Sequence, residues 1–191
     1  MPRIYCAGPL FNDPERHEMS QIADSLEQAG FETFLPHRDG LEFARLLPVL
    51  LDLGLTQARA DKVLQHAIFS LDVHQLLEGC DGVAVNLNGR VPDEGTVVEA
   101  SLAWLSGKAL VLYKNDGRTL LEGADNPMVT GLGAFKTVST YAEIPKALER
   151  ALQGIGDERV QRTLHRGAAI ARLRQEQGDP RALASLLAEM C

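Results

Sequence analysis

The sequence predicts an α/β fold: a doubly wound parallel sheet of five strands, with a helical extension at the C-terminus. Short, nearly continuous apolar runs, typical of buried parallel strands, alternate with segments whose apolar residues recur at helical spacing. The connections between these segments are mostly short, as in successive β-α units. A chain of 191 residues, 45% of them hydrophobic and 24% charged, suits one globular domain with an appended segment.

The predicted strands are short apolar runs that end at glycine, proline or polar residues. The clearest is the third run, in which valine and alanine predominate, as in central strands that are buried on both faces. The predicted strands are residues 4–7, 31–35, 82–87, 109–113 and 135–138.

The predicted helices lie between these strands and after the last one. Residues 14–29 carry apolar side chains at helical spacing, and Gly30 follows at a position where glycine commonly ends a helix. Residues 41–77 are largely helical with a break near Gly54, and residues 95–106 form a further helix.

The chain is expected to divide into an α/β domain, residues 1–140, and a helical C-terminal extension, residues 141–191. Apolar residues recur at helical spacing in the extension. The extension carries no residue pattern with obvious chemistry. We therefore expect it to pack on the same domain or on a neighbouring subunit.

Composition and charge argue against several classes of function. The formal net charge of −7 disfavours extended contact with a nucleic acid polymer, because such binding needs clustered Lys and Arg. The longest apolar stretch, residues 46–55, contains Pro48 and Asp52 and is too short to cross a bilayer. No secretory signal is visible before the first strand. These features favour a cytoplasmic protein, with no membrane role, that acts on a small molecule.

Metal and cofactor motifs are not found in the sequence. The 3 cysteines have no CxxC spacing, and the 5 histidines show neither HxH nor HExxH spacing. The chain also lacks GxGxxG and GxxxxGKS/T, the glycine-rich motifs of dinucleotide and P-loop sites. We therefore expect no metal and no cofactor. The cysteines are Cys6, Cys80 and Cys191.

Polar clusters follow three of the predicted strands, at residues 5–9, 93–99 and 125–128. Ligands of doubly wound sheets gather at the carboxyl ends of the strands. The three clusters are therefore expected to meet at one site. Within them, Gly8 and Gly95 are positions where a backbone without a side chain would let a substrate approach closely.

Each acidic residue in or near these clusters also has a purely structural interpretation. Asp93 begins a predicted helix, where simple capping would explain it. Glu99 lies further along that helix among mainly apolar residues, where a carboxylate must be paired, exposed at an edge, or functional. Asp72, in the helix before the third predicted strand, is either a solvated helical residue or a functional one.

At these clusters the sequence resembles the nucleoside 2-deoxyribosyltransferase family. The resemblance covers about residues 3–138 and depends on several motifs that occur in the same order. It implies a flavodoxin-like, Rossmann-like sheet and an enzyme that cleaves or exchanges the N-glycosidic bond of a (deoxy)nucleoside, with a nucleobase as the second substrate. The matching residues are 4–11 (IYCAGPLF), Asp72, 80–83 (CDGV), 92–99 (PDEGTVVE), Ala103, 107–108 and 126–128 (NPM).

The resemblance also implies a role for each matching residue. Glu99 would be the nucleophile that attacks the anomeric carbon, Asp72 the proton donor to the leaving base, and Tyr5 the hydrogen-bond partner that aligns Glu99. Asp93 would contact the base. Asn126 would contact the 5′-hydroxyl of the sugar, often from a neighbouring subunit, which implies a homo-oligomer, at least a dimer, with shared active sites. The remaining substrate-binding candidates are Gly8, Pro9, Gly95 and Met128.

Two alternative functions stay open at this point. A sister group, the 2′-deoxynucleoside 5′-monophosphate N-hydrolases, shares the fold and the glutamate but tends to have serines where the 5′-phosphate binds. In this chain Asp93 stands six residues before Glu99, and its charge would repel a phosphate, so transfer between nucleosides is preferred. The second alternative is a non-catalytic nucleotide-sensing module. A sensor needs neither a nucleophile nor an acid, so the presence of both Glu99 and Asp72 disfavours it.

Overall fold

The computed structural model describes residues 1–119, 124–154, 158–176 and 179–190, so Cys191 lies outside the described residues. Its centre is a sheet of 5 strands in the order β2-β1-β3-β4-β5. All the pairings are parallel. Because the order runs outward from β1 in both directions, the prediction of a doubly wound α/β fold is confirmed. The strands are β1 (Arg3–Ala7), β2 (Glu32–Phe34), β3 (Gly82–Asn86), β4 (Ala109–Tyr113) and β5 (Thr137–Val138).

Helices connect the strands and cover both faces of the sheet. The helices predicted at residues 14–29, 41–77 and 95–106 are found with bounds that differ by a few residues, and the break near Gly54 separates the third helix from the fourth. The short helices Pro36–Asp39 and Pro127–Thr130 were not predicted. A π-helical turn, Gln75–Gly79, continues the fourth helix toward β3. The helices are α1 (Asp13–Gln28), α2 (Pro36–Asp39), α3 (Phe43–Asp52), α4 (Gln57–His74), α5 (Glu94–Leu105), α6 (Pro127–Thr130), α7 (Glu143–Gln153), α8 (Glu158–Glu176) and α9 (Pro180–Met190).

Helix α1 shows why the sequence folds locally as predicted. The side chain of Asn12 accepts a hydrogen bond from the backbone N–H of Glu15 and so caps the first turn. At the other end, Gly30 adopts a φ of +89°, which a residue without a side chain does at little cost. The N–H of Phe31 then donates to the carbonyl of Leu26, which ends the helix.

The core consists of two layers because successive side chains of a strand point to opposite faces of the sheet. Ile4 and Cys6 of β1 belong to a cluster that includes buried residues of α1 and α7. Tyr5 and Ala7 belong to the opposite cluster, with the π-helical turn and α5. Tyr5 is thereby directed to the face on which α5 packs.

Strand β5 is shorter than predicted. Residues 135–138 were expected to be extended, but only Thr137 and Val138 pair with β4. Ala134 and Phe135 have φ values of +53° and +60°, which place them in the left-handed region. Consecutive left-handed residues turn the chain and cannot belong to a strand, so the strand begins only after them.

The α/β unit extends beyond the expected boundary at residue 140. The chain divides into Met1–Ile155 and Gly156–Cys191 as compact units. Helix α7 belongs to the first unit, because Ile144 and Leu148 are fully buried in its core.

In the second unit, the described residues form α8 and α9, which contact each other. None of the helices that the structure describes is both long enough and apolar enough to cross a membrane.

Candidate active site

The centre of the site is a hydrogen bond between β1 and α5. The hydroxyl of Tyr5 donates to Oε1 of Glu99 over 2.6 Å. Tyr5 is fully buried, and its ring packs against Phe34 of β2, with a centroid separation of 5.4 Å. Burial and the nearby carboxylates hold the pKa of Tyr5 well above its ordinary value, so its hydroxyl stays protonated and remains a donor.

Glu99 is half-buried because the residues after it pack into the core. Ala100 and Ala103 are fully buried against the sheet, which draws Glu99 toward Tyr5. Burial raises the pKa of Glu99 to about 7, and the hydrogen bond from Tyr5 opposes this rise. The negative charges of Asp72 and Asp93 raise it further. The Glu99 carboxylate therefore takes up a proton close to neutral pH.

Asp72 lies in the last turns of α4 and is also half-buried. Burial raises its pKa to about 6. Its charge contributes to the raised pKa values of both Tyr5 and Glu99, which places the three groups within electrostatic reach of one another. A negative charge on Asp72 therefore makes it harder for Glu99 to ionise.

Asp93 is the N-cap of α5. Its Oδ2 accepts hydrogen bonds from the backbone N–H and the hydroxyl of Thr96, over 2.8 and 2.9 Å. The capping interpretation of Asp93 is thus confirmed. The same carboxylate also raises the pKa of Glu99, so it is close enough to influence the site. A contact with substrate stays a prediction.

The two glycines singled out from the sequence have different surroundings. A Cβ on Gly8 would overlap the thioether of the buried Met19 and lie 3.0 Å from Cβ of Asn86, so close packing by itself accounts for a glycine there. Among the residues that the structure describes, beyond its chain neighbours and its own helix backbone, a Cβ on Gly95 would contact only the Asp93 carboxylate, at 3.1 Å. Pro9 follows Gly8 and is half-buried. Among these residues, Gly95 is the better candidate for close approach of a substrate.

Asn126 and Met128 lie at the start of α6 and are exposed. Oδ1 of Asn126 accepts the backbone N–H of Met128 over 2.9 Å and so caps the helix. The side chain of Met128 is 81% exposed. Within the described part of the chain, no hydrogen bond joins either residue to Glu99. The structure therefore brings Tyr5, Asp72 and Glu99 together and leaves Asn126 and Met128 facing outward.

Sequence reasoning missed a polar network next to the site. The amide of Asn86, a fully buried residue that ends β3, donates to Glu18 of α1 over 3.0 Å. The amide of Asn88 also donates to Glu18, and its oxygen accepts the backbone N–H of Asn115 over 2.9 Å. The sequence feature that could have indicated this network is the pair of asparagines at the end of a buried strand. Polar residues after the same strand drew attention to Asp93.

No group of three or more His, Cys, Asp or Glu side chains that could hold a metal ion occurs in the described parts of the chain. The groups that the structure does bring together are carboxyl and phenol groups. Such a set can supply a nucleophile, a proton donor and a hydrogen-bond donor that orients the nucleophile.

The doubly wound parallel sheet defines a flavodoxin-like α/β protein. Its candidate site consists of a glutamate hydrogen-bonded to a strand tyrosine, with an aspartate in electrostatic reach. Comparison with known families makes the assignment more specific. The model of the nucleoside 2-deoxyribosyltransferase family matches residues 4–158. The chain belongs to this family.

Solved structures show the same fold. A conserved protein from Enterococcus faecalis V583 superposes with a TM-score of 0.60 at 20% sequence identity, over 78% of this chain and 98% of that chain. The 2-deoxyribosyltransferase from Bacillus psychrosaccharolyticus superposes with a TM-score of 0.50 at 20% identity, over 75% of this chain and 90% of that chain. A search of the curated proteins finds no match.

Proposed function

We propose that this protein cleaves the N-glycosidic bond of a (deoxy)nucleoside and transfers the sugar to a second base or to water. Membership of the nucleoside 2-deoxyribosyltransferase family supports the substrate class. The observation that carries the proposal is the hydrogen bond from Tyr5 to Glu99, 2.6 Å long. It holds one carboxylate oxygen in place and leaves the other available for bond formation.

In the proposed reaction Glu99 attacks the anomeric carbon of the sugar while the bond to the base breaks. Asp72 donates a proton to the departing ring nitrogen, because a neutral base leaves more readily than its anion. The product is a glycosyl ester of Glu99. A second base, or water, then attacks the same carbon and restores the carboxylate, and Asp72 takes up the proton that the incoming group loses.

The raised pKa values suit this exchange of one proton. With the pKa of Glu99 at about 7 and that of Asp72 at about 6, one proton remains on the two groups between these values, and in most molecules it lies on Glu99. The reactive form is the minor one, with that proton on Asp72 and a charge on Glu99. The hydrogen bond from Tyr5 stabilises this form, because it is stronger to an ionised carboxylate than to a neutral one.

The sugar end of the site is proposed to be shared between subunits of a homo-oligomer, at least a dimer. The exposed side chains of Asn126 and Met128 support this. The cap of α6 uses only the side-chain oxygen of Asn126, so its amide nitrogen takes no part in the cap and suits a sugar hydroxyl. Because this amide is exposed, it can reach the site of a neighbouring subunit.

The base end is proposed to be formed by Asp93, Gly95 and the segment after β1, with Gly8 and Pro9. Asp93 is half-buried and raises the pKa of Glu99. A carboxylate at this place can accept hydrogen bonds from the amino or imino groups of a base. It would repel a phosphate, so nucleosides are favoured over nucleoside 5′-monophosphates.

The test is to incubate the purified protein with deoxyinosine and with deoxycytidine 5′-monophosphate, each with and without free adenine, and to separate the products by chromatography. Deoxyadenosine formed from deoxyinosine and adenine is the expected result. Free base released only from the monophosphate would instead identify an N-hydrolase of nucleotides. The absence of any product, with nucleoside binding retained, would identify a binding module.

A further inference from the structure

A buried ion pair lies beside the site and plays no part in the proposed chemistry. Nζ of Lys114, the residue after β4, is 2.7 Å from Oδ1 of Asp125, and the two side chains are only 7% and 10% exposed. The backbone of Lys114 is fixed to the sheet, since its N–H donates to the carbonyl of Val138. The ammonium group is thus held near the carboxyl end of β4.

The same ammonium group reaches a second loop. Nζ of Lys114 donates to the carbonyl of Gly89 over 3.3 Å, and the N–H of Gly89 donates to Asp116 over 3.0 Å. Gly89 has a φ of +112°, a left-handed conformation that favours glycine. We call Lys114, Asp125 and Gly89 the loop clasp. It joins the loop that leads from β3 to Asp93 to the loop that leads from β4 to Asn126.

Each arm of the loop clasp ends close to a residue of the proposed substrate site. Asp125 immediately precedes Asn126, the N-cap of α6. Gly89 stands in the loop that ends at Asp93, the N-cap of α5. Lys114 thus contacts both of the loops that lead to these two residues.

Stability alone is a weak reason to bury such a pair. Removing two charges from water costs free energy that their attraction often fails to recover, and apolar residues of similar size can be as stable or more so. What this pair adds is a link between two loops, because Nζ of Lys114 lies within reach of both Oδ1 of Asp125 and the carbonyl of Gly89.

We propose that Lys114 and Asp125 are positioning residues that hold Asn126 where its side chain can bind the sugar 5′-hydroxyl. This inference rests on the proposed function. If Asn126 serves a neighbouring subunit, the loop clasp links the Asp93 loop of one site to the residue that this subunit lends to another.

The experiment compares four variants with the wild-type protein: Lys114→Met, the double variant Lys114→Met/Asp125→Leu, the conservative variant Lys114→Arg, and Lys108→Met as a matched control. Lys108 also donates to a backbone carbonyl, that of Cys80, over 2.7 Å, but it precedes β4 and lies at the other end of that strand. Each protein is assayed on deoxyinosine and on 2′,5′-dideoxyinosine, and its melting temperature is measured.

Lys114→Met is expected to melt at a lower temperature, because Asp125 is left buried without its ammonium partner. The double variant is expected to recover that melting temperature but to keep a KM for deoxyinosine raised about tenfold, the effect of one well-placed hydrogen bond. Its kcat is expected to change much less. Removal of the 5′-hydroxyl from the substrate should raise the KM of the wild-type protein by about the same factor. The KM of the double variant should change little on the same removal. Lys114→Arg and Lys108→Met should resemble the wild type.

The double variant could instead keep the wild-type KM for deoxyinosine and show the wild-type rise in KM when the 5′-hydroxyl is missing. That result would show that the pair is only structural, and it would overturn this inference but not the proposed function. No cleavage of any nucleoside by the wild-type protein would overturn the proposed function and the inference with it. The two failures are therefore distinguishable in one set of assays.

Discussion

Two regions of the proposed site are built in contrasting ways. The group formed by Tyr5, Asp72 and Glu99 lies between the sheet and two long helices, and its key hydrogen bond starts from a fully buried tyrosine. The segment of Asn126 and Met128 begins a short helix and is exposed. The proposed chemical groups are thus fixed by the core of one chain, while the segment proposed to bind the sugar is held by a cap and the loop clasp. We expect changes in the first region to affect kcat and changes in the second to affect KM.

The largest effect is expected for Glu99→Ala, which removes the proposed nucleophile. Turnover should fall at least about 10⁴-fold, as for other enzymes that lose a nucleophile, while nucleoside binding and the fold are largely kept. Glu94→Ala is a matched control, since Glu94 is an exposed glutamate in the first turn of the same helix. Undiminished turnover in Glu99→Ala would contradict the proposed mechanism.

Asp72→Asn is expected to lower kcat by about 10²–10⁴-fold, the usual contribution of a general acid. The pH profile gives a second readout. For the wild-type protein kcat/KM should be greatest between the pKa values of about 6 and about 7, because one proton must remain on the pair.

In Asp72→Asn the fall at high pH should vanish, because no acid remains to lose its proton. The remaining fall at low pH should follow the ionisation of Glu99 alone. A profile identical to that of the wild type would exclude Asp72 as the acid.

Asn126→Ala should produce a smaller effect, mainly on binding. Loss of one hydrogen bond to the sugar is expected to raise KM about tenfold with little change in kcat. Steady-state kinetics on deoxyinosine measure this directly. An equal loss in kcat with an unchanged KM would place Asn126 among the chemical groups and remove the contrast between the two regions.

The smallest effect concerns stability. In the folded protein the pKa of Glu99 is about 7, above its ordinary value of 4.5. The folded state therefore binds more protons than the unfolded state between these values, and stability falls as pH rises through this range. Glu99→Gln has no buried charge at pH 8, so this variant should melt a few degrees above the wild type at that pH. The difference should shrink toward pH 4.5. A difference independent of pH would show that burial of the charge is not its cause.

The sequence alone determined the doubly wound fold, because strand and helix periodicities and the glycine at position 30 act locally. It also identified Glu99 as unusual, since an acidic residue within an otherwise apolar helix conflicts with burial. These features depend only on residues close together in the sequence, so the sequence was sufficient to predict them.

Only the tertiary structure decided which distant residues meet. Tyr5 and Glu99 are 94 positions apart, and their contact depends on the strand order and on the face to which each side chain points. Asp125 belongs to a polar cluster that the sequence does indicate, but nothing in the sequence pairs it with Lys114, because two charged residues in a polar loop are usually solvated. The left-handed Ala134 and Phe135, which shorten β5, were missed for a different reason. The turn is held by local hydrogen bonds, from the N–H of Ala134 to Gly131 and from the N–H of Phe135 to Thr130, but neither left-handed residue is the glycine that usually marks such a conformation in a sequence.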